Sequence, residues 1–249
     1  MIQARILAPL ASALPPGSTA VDRWLLAVSV VASGLFFVTR GGPSCPLGVV
    51  LKGLAVATLA VIAFRLLRGR DRWLLGGALA CSTLGDVLLE LNGLFVPGLG
   101  AFLGAHLCYA TLFARDWPGL ARLTVRQRVL LGVLFVASAT LTAWLWPGLG
   151  HLAVPVLLYI SALTTMAALA IAADTQYPGI AWGALLFVVS DSLIGVTRFR
   201  APVPPGDYLV WGTYYIAQCS LVLGFLSGRS ALCDAPHGRQ GGARDSRLS

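Results

Sequence analysis

Long apolar segments alternate with short polar ones along most of this chain. Their length is close to the roughly 20 residues that a helix needs to cross a bilayer. The segments lie at residues 24–39, 46–66, 73–91, 94–113, 129–146, 151–173, 180–197 and 208–227. This pattern predicts an all-α membrane protein with eight transmembrane helices.

The composition supports a membrane location. Of the 249 residues, 57% are hydrophobic and 11% are charged, whereas charged residues make up roughly 25% of an ordinary soluble domain. The net charge of +8 would suggest a nucleic-acid partner in a soluble protein, but here the arginines lie between apolar segments. We therefore expect no nucleic-acid partner, and the sequence does not indicate an oligomeric state.

The basic residues predict the orientation of the chain in the membrane. With eight crossings, fourteen arginines fall on the side of the two termini and three, Arg40, Arg198 and Arg200, on the other. Cytoplasmic loops carry the excess of Lys and Arg. Both termini are therefore predicted to be cytoplasmic.

Three regions follow from this reading. Residues 1–23 form a retained cytoplasmic lead-in, residues 24–227 the eight-helix transmembrane domain, and residues 228–249 a polar, Gly- and Arg-rich tail that we expect to be disordered. The five cysteines form no C-x-x-C pair, so neither a disulfide framework nor a thiolate metal site is expected.

Two aspartates lie deep inside apolar helices. Asp86 follows Gly85 in the third predicted helix, and Asp191 follows Ser190 in the seventh. Burying a carboxylate at membrane depth costs several kcal/mol, so such a residue normally has a function or a partner that compensates for this cost. The pair is therefore the strongest functional signal in the sequence.

Other polar residues share the depth of this pair. At 1.5 Å per residue from the cytoplasmic end, Asp86 lies roughly 20 Å in and Asp191 roughly 17 Å in. The same count places Lys52, Tyr214 and Tyr215 in that layer, Gln218 one turn lower, His106 lower still, and Glu90 one turn above Asp86. Structural alternatives remain open: a buried ion pair for Lys52, helix packing for His106, a water-facing rim for Glu90, and ordinary core aromatics for Tyr109, Tyr159, Tyr214 and Tyr215.

The two halves of the chain suggest an internal repeat. Aligning Asp86 with Asp191 brings Tyr109 opposite Tyr214, which predicts a 4+4 parallel pseudo-repeat. Lys52 and His106 have no counterparts, and shared membrane composition is the simpler explanation.

An ordered set of motifs resembles the lysoplasmalogenase (YhhN-like) family. These motifs are Leu51-Lys52-Gly53-Leu54, Gly77-Ala78-Leu79 through Gly85-Asp86, Phe95-Val96-Pro97-Gly98, Ala105-His106-Leu107-Cys108-Tyr109, Gly183-Ala184-Leu185-Leu186-Phe187 through Ser190-Asp191, and Thr213-Tyr214-Tyr215-Ile216-Ala217-Gln218. The chain departs from the family pattern at Gly53, where proline usually follows the lysine.

The resemblance implies eight spans and hydrolysis of the vinyl ether bond of lysoplasmalogens. The products would be a fatty aldehyde and glycerophosphoethanolamine or glycerophosphocholine, and the partner a lysophospholipid in the bilayer. No cofactor is implied. A three-histidine zinc site is not expected, because only His106 is predicted to be well buried.

Vinyl ether hydrolysis needs a proton donor for the β-carbon and an anion that orients water. A carboxyl in an apolar wall can stay protonated near neutral pH, while one beside a cation stays ionised. With Glu90 one turn away, Asp86 is predicted to be the acid and Asp191 the base. Lys52 would keep Asp191 ionised or hold a phosphate oxygen. Tyr214, Tyr215, Gln218 and His106 are candidates for placing water and the glycerol hydroxyl. Tyr109, Ser190 and Glu90 complete the expected set of substrate-binding or supporting residues.

The main alternative is a proton-coupled transporter or lipid flippase in which Asp86 and Asp191 form a proton relay. Helices broken by proline would favour transport, and the third and seventh predicted helices contain none.

The ratio of arginine to lysine indicates the kind of membrane in which the protein resides. Arginine outnumbers lysine seventeen to one, which together with frequent Ala, Gly and Leu is typical of a GC-rich bacterial genome. A bacterial plasma membrane is predicted, with the endoplasmic reticulum membrane as the alternative.

Overall fold

A computed structural model of the chain describes residues 13–39, 46–174, 176–177 and 179–234. Of residues 232–234 it describes the backbone alone. Within these residues it contains eight α-helices and no strand. The helices are α1 Ala20–Thr39, α2 Pro46–Leu66, α3 Gly69–Glu90, α4 Phe95–Ala114, α5 Val125–Leu149, α6 Ala153–Ala173, α7 Ile180–Phe199 and α8 Gly206–Asp234. Each predicted apolar segment coincides with one helix, so the all-α prediction is confirmed across the described residues.

The helices suit a bilayer by length and composition. Seven helical runs in the described part of the chain are long and apolar enough to cross a membrane. One of them, Val125–Ala173, has 49 residues and contains both α5 and α6, which a 3₁₀ turn at Gly150–Leu152 joins. Because helices satisfy their own backbone hydrogen bonds, such an architecture is stable in lipid. The chain is an integral membrane protein.

α5 and α6 fold back on each other. Thr124 and Gln127 form a capping box at the start of α5. The Gln127 amide also donates to the carbonyl oxygens of Ile171 and Ala172, at 2.9 and 3.0 Å, near the end of α6. The start of one helix therefore lies beside the end of the other, as in an antiparallel pair.

Six helices form a ring. In the order α2, α3, α4, α6, α7 and α8, each packs against the next, and α8 returns to α2. α1 lies outside the ring against α2 and α8, and α5 lies outside against α6 and α7. The side chains that point into the ring therefore come from helices far apart in sequence.

Two glycines allow close packing of the helices that carry the two aspartates. A Cβ at Gly85 would lie 2.5 Å from a ring atom of Phe102, and one at Gly183 would lie 3.0 Å from the carbonyl oxygen of Ala217. Small residues at such contacts let membrane helices approach each other. α3 thus packs tightly on α4, and α7 on α8.

α8 extends further than the sequence indicated. It runs to Asp234, so residues 228–234, which we expected to belong to a disordered tail, are helical. Arg229 in this extension pairs with Asp71 at 2.8 Å (Nε to Oδ2) and with Asp116 at 3.7 Å (Nη2 to Oδ2). These pairs tie α8 to the start of α3 and the end of α4. Residues 1–12 and 235–249 lie outside the described residues.

Candidate active site

The polar side chains inside the ring lie toward one end of the bundle. We define this site end by the last turns of α3 and α7 and the first turns of α2, α4 and α8. Asp86 comes four residues before the end of α3 and Asp191 eight residues before the end of α7. These positions are roughly 6 and 12 Å below the helix ends.

Asp86 belongs to a buried cluster with the only lysine of the chain. Lys52 Nζ lies 2.9 Å from Glu90 Oε1 and 3.8 Å from Asp86 Oδ1. Lys52 and Asp86 are 8% and 1% exposed. Lys52 Nζ also lies 5.9 Å from the ring centroids of Phe36 and Trp211. One cation is therefore shared by two carboxylates that stand one helical turn apart.

A hydrogen-bond chain extends from Asp86 into the core. Tyr214 OH donates to Asp86 Oδ2 at 2.6 Å, Gln218 Nε2 donates to Tyr214 OH at 3.2 Å, and Tyr109 OH donates to Gln218 Oε1 at 2.6 Å. The four residues are buried. This chain fixes the orientation of the Asp86 carboxylate.

Asp191 has different partners. Tyr159 OH donates to Asp191 Oδ2 at 2.5 Å, and His106 Nε2 lies 3.0 Å from Tyr159 OH and 3.4 Å from Asp191 Oδ2. Because the Tyr159 hydroxyl proton points to Asp191, His106 Nε2 donates to that hydroxyl. His106 Nδ1 is buried and has no hydrogen-bond partner among the described residues.

The partner expected for Lys52 was wrong. We expected its charge beside Asp191, whereas the structure places it beside Asp86 and Glu90. The physical reason is the helix order, since α2 packs against α3, and Lys52 and Glu90 lie near the same end of these helices.

Two further predicted site residues bind neighbouring helices. Ser190 Oγ donates to the carbonyl oxygen of Val210 at 3.0 Å, which holds α7 to α8. Tyr215 OH lies 2.8 Å from Ser29 Oγ on α1, outside the ring. Tyr215 therefore faces away from its neighbour Tyr214 and does not join the cluster.

Tyr159 is a site residue that the sequence pattern did not indicate to us. It was considered an ordinary core aromatic, yet it contacts both His106 and Asp191. A signal was present: Tyr159 lies six residues from the site end of α6, and Asp191 eight residues from the site end of α7. The depth count that grouped the other residues would have placed the two side chains in one layer.

Two cavities meet at Asp191. A small one of about 20 Å³ is lined by Lys52, Asp86, Ser190, Asp191, Asp207, Trp211 and Tyr214 together with apolar side chains. A larger one of about 230 Å³ lies between α4, α5, α6 and α7. Asp191 and Tyr159 are among the few polar residues in its otherwise apolar wall. Leu89, Phe102 and Ile194 also line both cavities. The arrangement offers an apolar space beside a polar one, with a carboxylate between them.

The described residues contain no group of three His, Cys, Asp or Glu side chains that could hold a metal ion. The polar groups of the site are carboxylates, phenols, an imidazole and one ammonium group.

The protein is thus a helical integral membrane protein that holds two carboxylates, Asp86 and Asp191, inside a ring of helices. A family model described as the YhhN family matches residues 47–225, which is more than half of the chain. The chain belongs to the YhhN family. No solved structure matches it significantly.

Several curated relatives carry the same name. Lysoplasmalogenase TMEM86B of Homo sapiens is 34% identical over 155 residues, covering 61% of this chain and 63% of the relative. Lysoplasmalogenase of Mycobacterium bovis is 36% identical over 169 residues, covering 65% and 63%. Lysoplasmalogenase TMEM86B of Rattus norvegicus is 32% identical over 210 residues, covering 83% and 85%. The chain thus spans less than two thirds of the first two relatives.

Proposed function

We propose that this protein hydrolyses the vinyl ether bond of lysoplasmalogens. The products are a fatty aldehyde and glycerophosphoethanolamine or glycerophosphocholine. The names of the curated relatives support this reaction. The observation that carries the proposal is the position of Asp191 between an apolar cavity that suits a hydrocarbon chain and a polar cavity that holds Asp86 and Lys52.

The reaction consumes one water molecule. A protonated carboxyl donates its proton to the β-carbon of the vinyl ether, and the double-bond electrons form the new C–H bond. This leaves an oxocarbenium ion between the former vinyl carbon and its oxygen. A carboxylate removes a proton from water, whose oxygen adds to that carbon and gives a hemiacetal. The hemiacetal then gives its hydroxyl proton to the first carboxyl, which is now ionised, and the glycerol oxygen takes a proton from the second carboxyl. Aldehyde and alcohol separate, and both carboxyls regain their starting forms.

The geometry favours exchanging the roles expected for the two aspartates. The carbon to be protonated belongs to the alkenyl chain, and Asp191 is the aspartate that lines the apolar cavity. Asp86 lies beside Lys52 and lines only the small polar cavity, in which water can be placed. In our proposal, Asp191 is therefore the acid, and Asp86 is the base that orients water and stabilises the cation.

Neighbouring side chains support each role. Tyr214 and Gln218 hold the Asp86 carboxylate, and Tyr159 and His106 hold Asp191. His106 contacts the same phenol as Asp191 and so helps to fix the orientation of both groups. Glu90 shares the charge of Lys52 and so limits how strongly the lysine holds Asp86.

We further propose eight membrane crossings, with α5 and α6 as separate spans and both termini in the cytoplasm of a bacterial cell. The site end then faces the outer side of the plasma membrane. Each half of the chain contributes three helices to the ring and one outside it, which is consistent with a 4+4 repeat. A cysteine placed between Arg115 and Arg128 should resist labelling from outside intact cells. Efficient labelling there would contradict this topology.

An aldehyde assay on purified protein in detergent tests the reaction. The substrates are a lysoplasmalogen, its saturated alkyl-ether analogue and an ester-linked lysophospholipid. Only the first should release a product, because only an enol ether can accept a proton on carbon. In D₂O the aldehyde should carry one deuterium on the carbon beside the carbonyl. Cleavage of the ester at the same rate, or an aldehyde without deuterium, would exclude the mechanism.

A further inference from the structure

Two arginines at the site end take part in no described ion pair. Arg198 lies in the last turn of α7, and Arg200 directly follows that helix. Both are exposed. Among the described residues, the arginines that pair with carboxylates are Arg65, Arg115, Arg126 and Arg229. Arg198 and Arg200 are thus two positive charges with capacity to bind an anion.

Aromatic rings hold both guanidinium groups in place. The guanidinium carbon of Arg198 lies 4.8 Å from the ring centroid of Phe95, and that of Arg200 lies 5.3 Å from the ring centroid of Trp144. Arg200 also donates to the Trp144 carbonyl oxygen. Stacking uses the face of a guanidinium, and its N–H groups lie at the edge. Most of these donors therefore remain available to a ligand.

The two arginines border the apolar cavity. Phe95, which lies under Arg198, and Phe199, which separates the arginines in sequence, both line that cavity, with ring centroids 6.1 Å apart. Arg198 follows Asp191 by seven residues, or about two turns, so it stands on the same face of α7 roughly 10 Å nearer the site end. A lipid that places its vinyl ether at Asp191 would extend its glycerol toward Arg198.

We propose that Arg198 and Arg200 bind the phosphate of the lysophospholipid substrate. This inference rests on the proposed function and specifies how the substrate is oriented: chain in the apolar cavity, vinyl ether at Asp191, and phosphodiester at the site end. Arginine suits this task because its planar fork matches phosphate oxygens. Lys52, the other candidate for a phosphate contact, is already bonded to Glu90.

The test compares two substrates in phosphate-free detergent. One is a lysoplasmalogen, and the other is the matching 1-alkenylglycerol, which lacks the phosphodiester. With Arg198→Gln/Arg200→Gln, KM for the lysoplasmalogen should rise about tenfold or more while kcat stays similar, because charge-assisted hydrogen bonds are lost. Kinetics on the alkenylglycerol should not change. The control Arg122→Gln/Arg128→Gln removes two exposed arginines at the opposite end and should leave both substrates unaffected.

A second measurement needs no variant. Glycerophosphocholine should compete with the lysoplasmalogen on the wild-type protein, and inorganic phosphate should compete more weakly, which separates a head-group site from a simple anion site. The inference would be overturned if KM in the double variant rose equally for both substrates or for neither. It would also be overturned if inorganic phosphate competed more strongly than glycerophosphocholine. If wild-type KM were the same for both substrates, the inference would also fail, while aldehyde release from alkenylglycerol would leave the proposed reaction intact.

Discussion

Asp86 and Asp191 follow small residues in similar apolar helices, yet their surroundings differ. Asp86 is 1% exposed, bonds to Tyr214 and shares Lys52 with Glu90 beside a cavity of about 20 Å³. Asp191 also lines that small cavity, but it bonds to Tyr159 and opens onto an apolar cavity of about 230 Å³. One carboxyl is held beside a cation, and the other is placed beside the space for a hydrocarbon chain.

This difference matters because acid–base catalysis needs two groups in different protonation states. Two carboxyls in identical surroundings would compete for the same state, whereas a nearby cation favours the charged form of one of them. The two aspartates differ in their neighbours, since Lys52 lies on the helix next to Asp86 with its Nζ 3.8 Å from Asp86 Oδ1.

Removing either carboxylate should have the largest effect. Asp86→Asn and Asp191→Asn should each lower the rate of aldehyde release by about 10² or more, because general acid or base catalysis contributes roughly 10² to 10⁴. Since the two act as a unit, the double variant should be little slower than the slower single one. Size-exclusion profiles in detergent should match the wild type. Folded variants with near-normal rates would show that the aspartates are structural.

Lys52→Met should reduce stability as well as activity. It leaves two carboxylates one turn apart without their cation, and breaking a buried ion pair typically costs about 3–5 kcal/mol. Adding Glu90→Gln removes one of these carboxylates and should restore part of the lost unfolding free energy. The unfolding free energy in an SDS titration measures both effects. A Lys52→Met protein as stable as the wild type would mean that the cluster is not ionised as a group.

The two tyrosines should contribute separately to the two carboxylates. Tyr159→Phe and Tyr214→Phe should each lower kcat about tenfold or more, because the two phenols position the carboxyls. Tyr159 also stabilises the carboxylate that forms at Asp191 during proton donation, and a hydrogen bond to a charged group is worth about 1.5–3 kcal/mol. Tyr215→Phe is the matched control on α8, since its hydroxyl faces Ser29, and its rate should stay within about twofold. A Tyr215→Phe loss equal to that of Tyr214→Phe would remove the distinction between the neighbours.

Filling the apolar cavity should give the smallest change. Ile160→Trp reduces the space beside Asp191 and should lower kcat/KM for long alkenyl chains about tenfold relative to chains two methylenes shorter, at roughly 0.8 kcal/mol per buried methylene. Leu158→Trp, two residues away and 59% exposed, is the control and should show no chain-length effect. An unchanged preference in Ile160→Trp would place the alkenyl chain elsewhere.

The helices and the layer of the site follow from local sequence. Apolar segments of bilayer length have to become helices, because lipid offers no partners for backbone N–H and C=O groups. The depth of a side chain follows from counting along its helix. This is why the sequence alone assigns Asp86, Lys52 and Tyr214 to one layer. Tyr159 was missed because the count was not applied to it.

Which residues within the layer contact each other depends on how the helices pack. Depth gives no direction around the helix axis and no order of helices in the ring. The packing places Lys52 beside Asp86 and Glu90 and leaves an apolar cavity next to Asp191. It also lets Tyr214 bond to Asp86, whereas Tyr215 contacts Ser29 outside the ring. These contacts join helices separated by up to 186 residues. Such packing depends on side chains all around each helix, such as Gly85 against Phe102, and no single segment of the sequence contains that information.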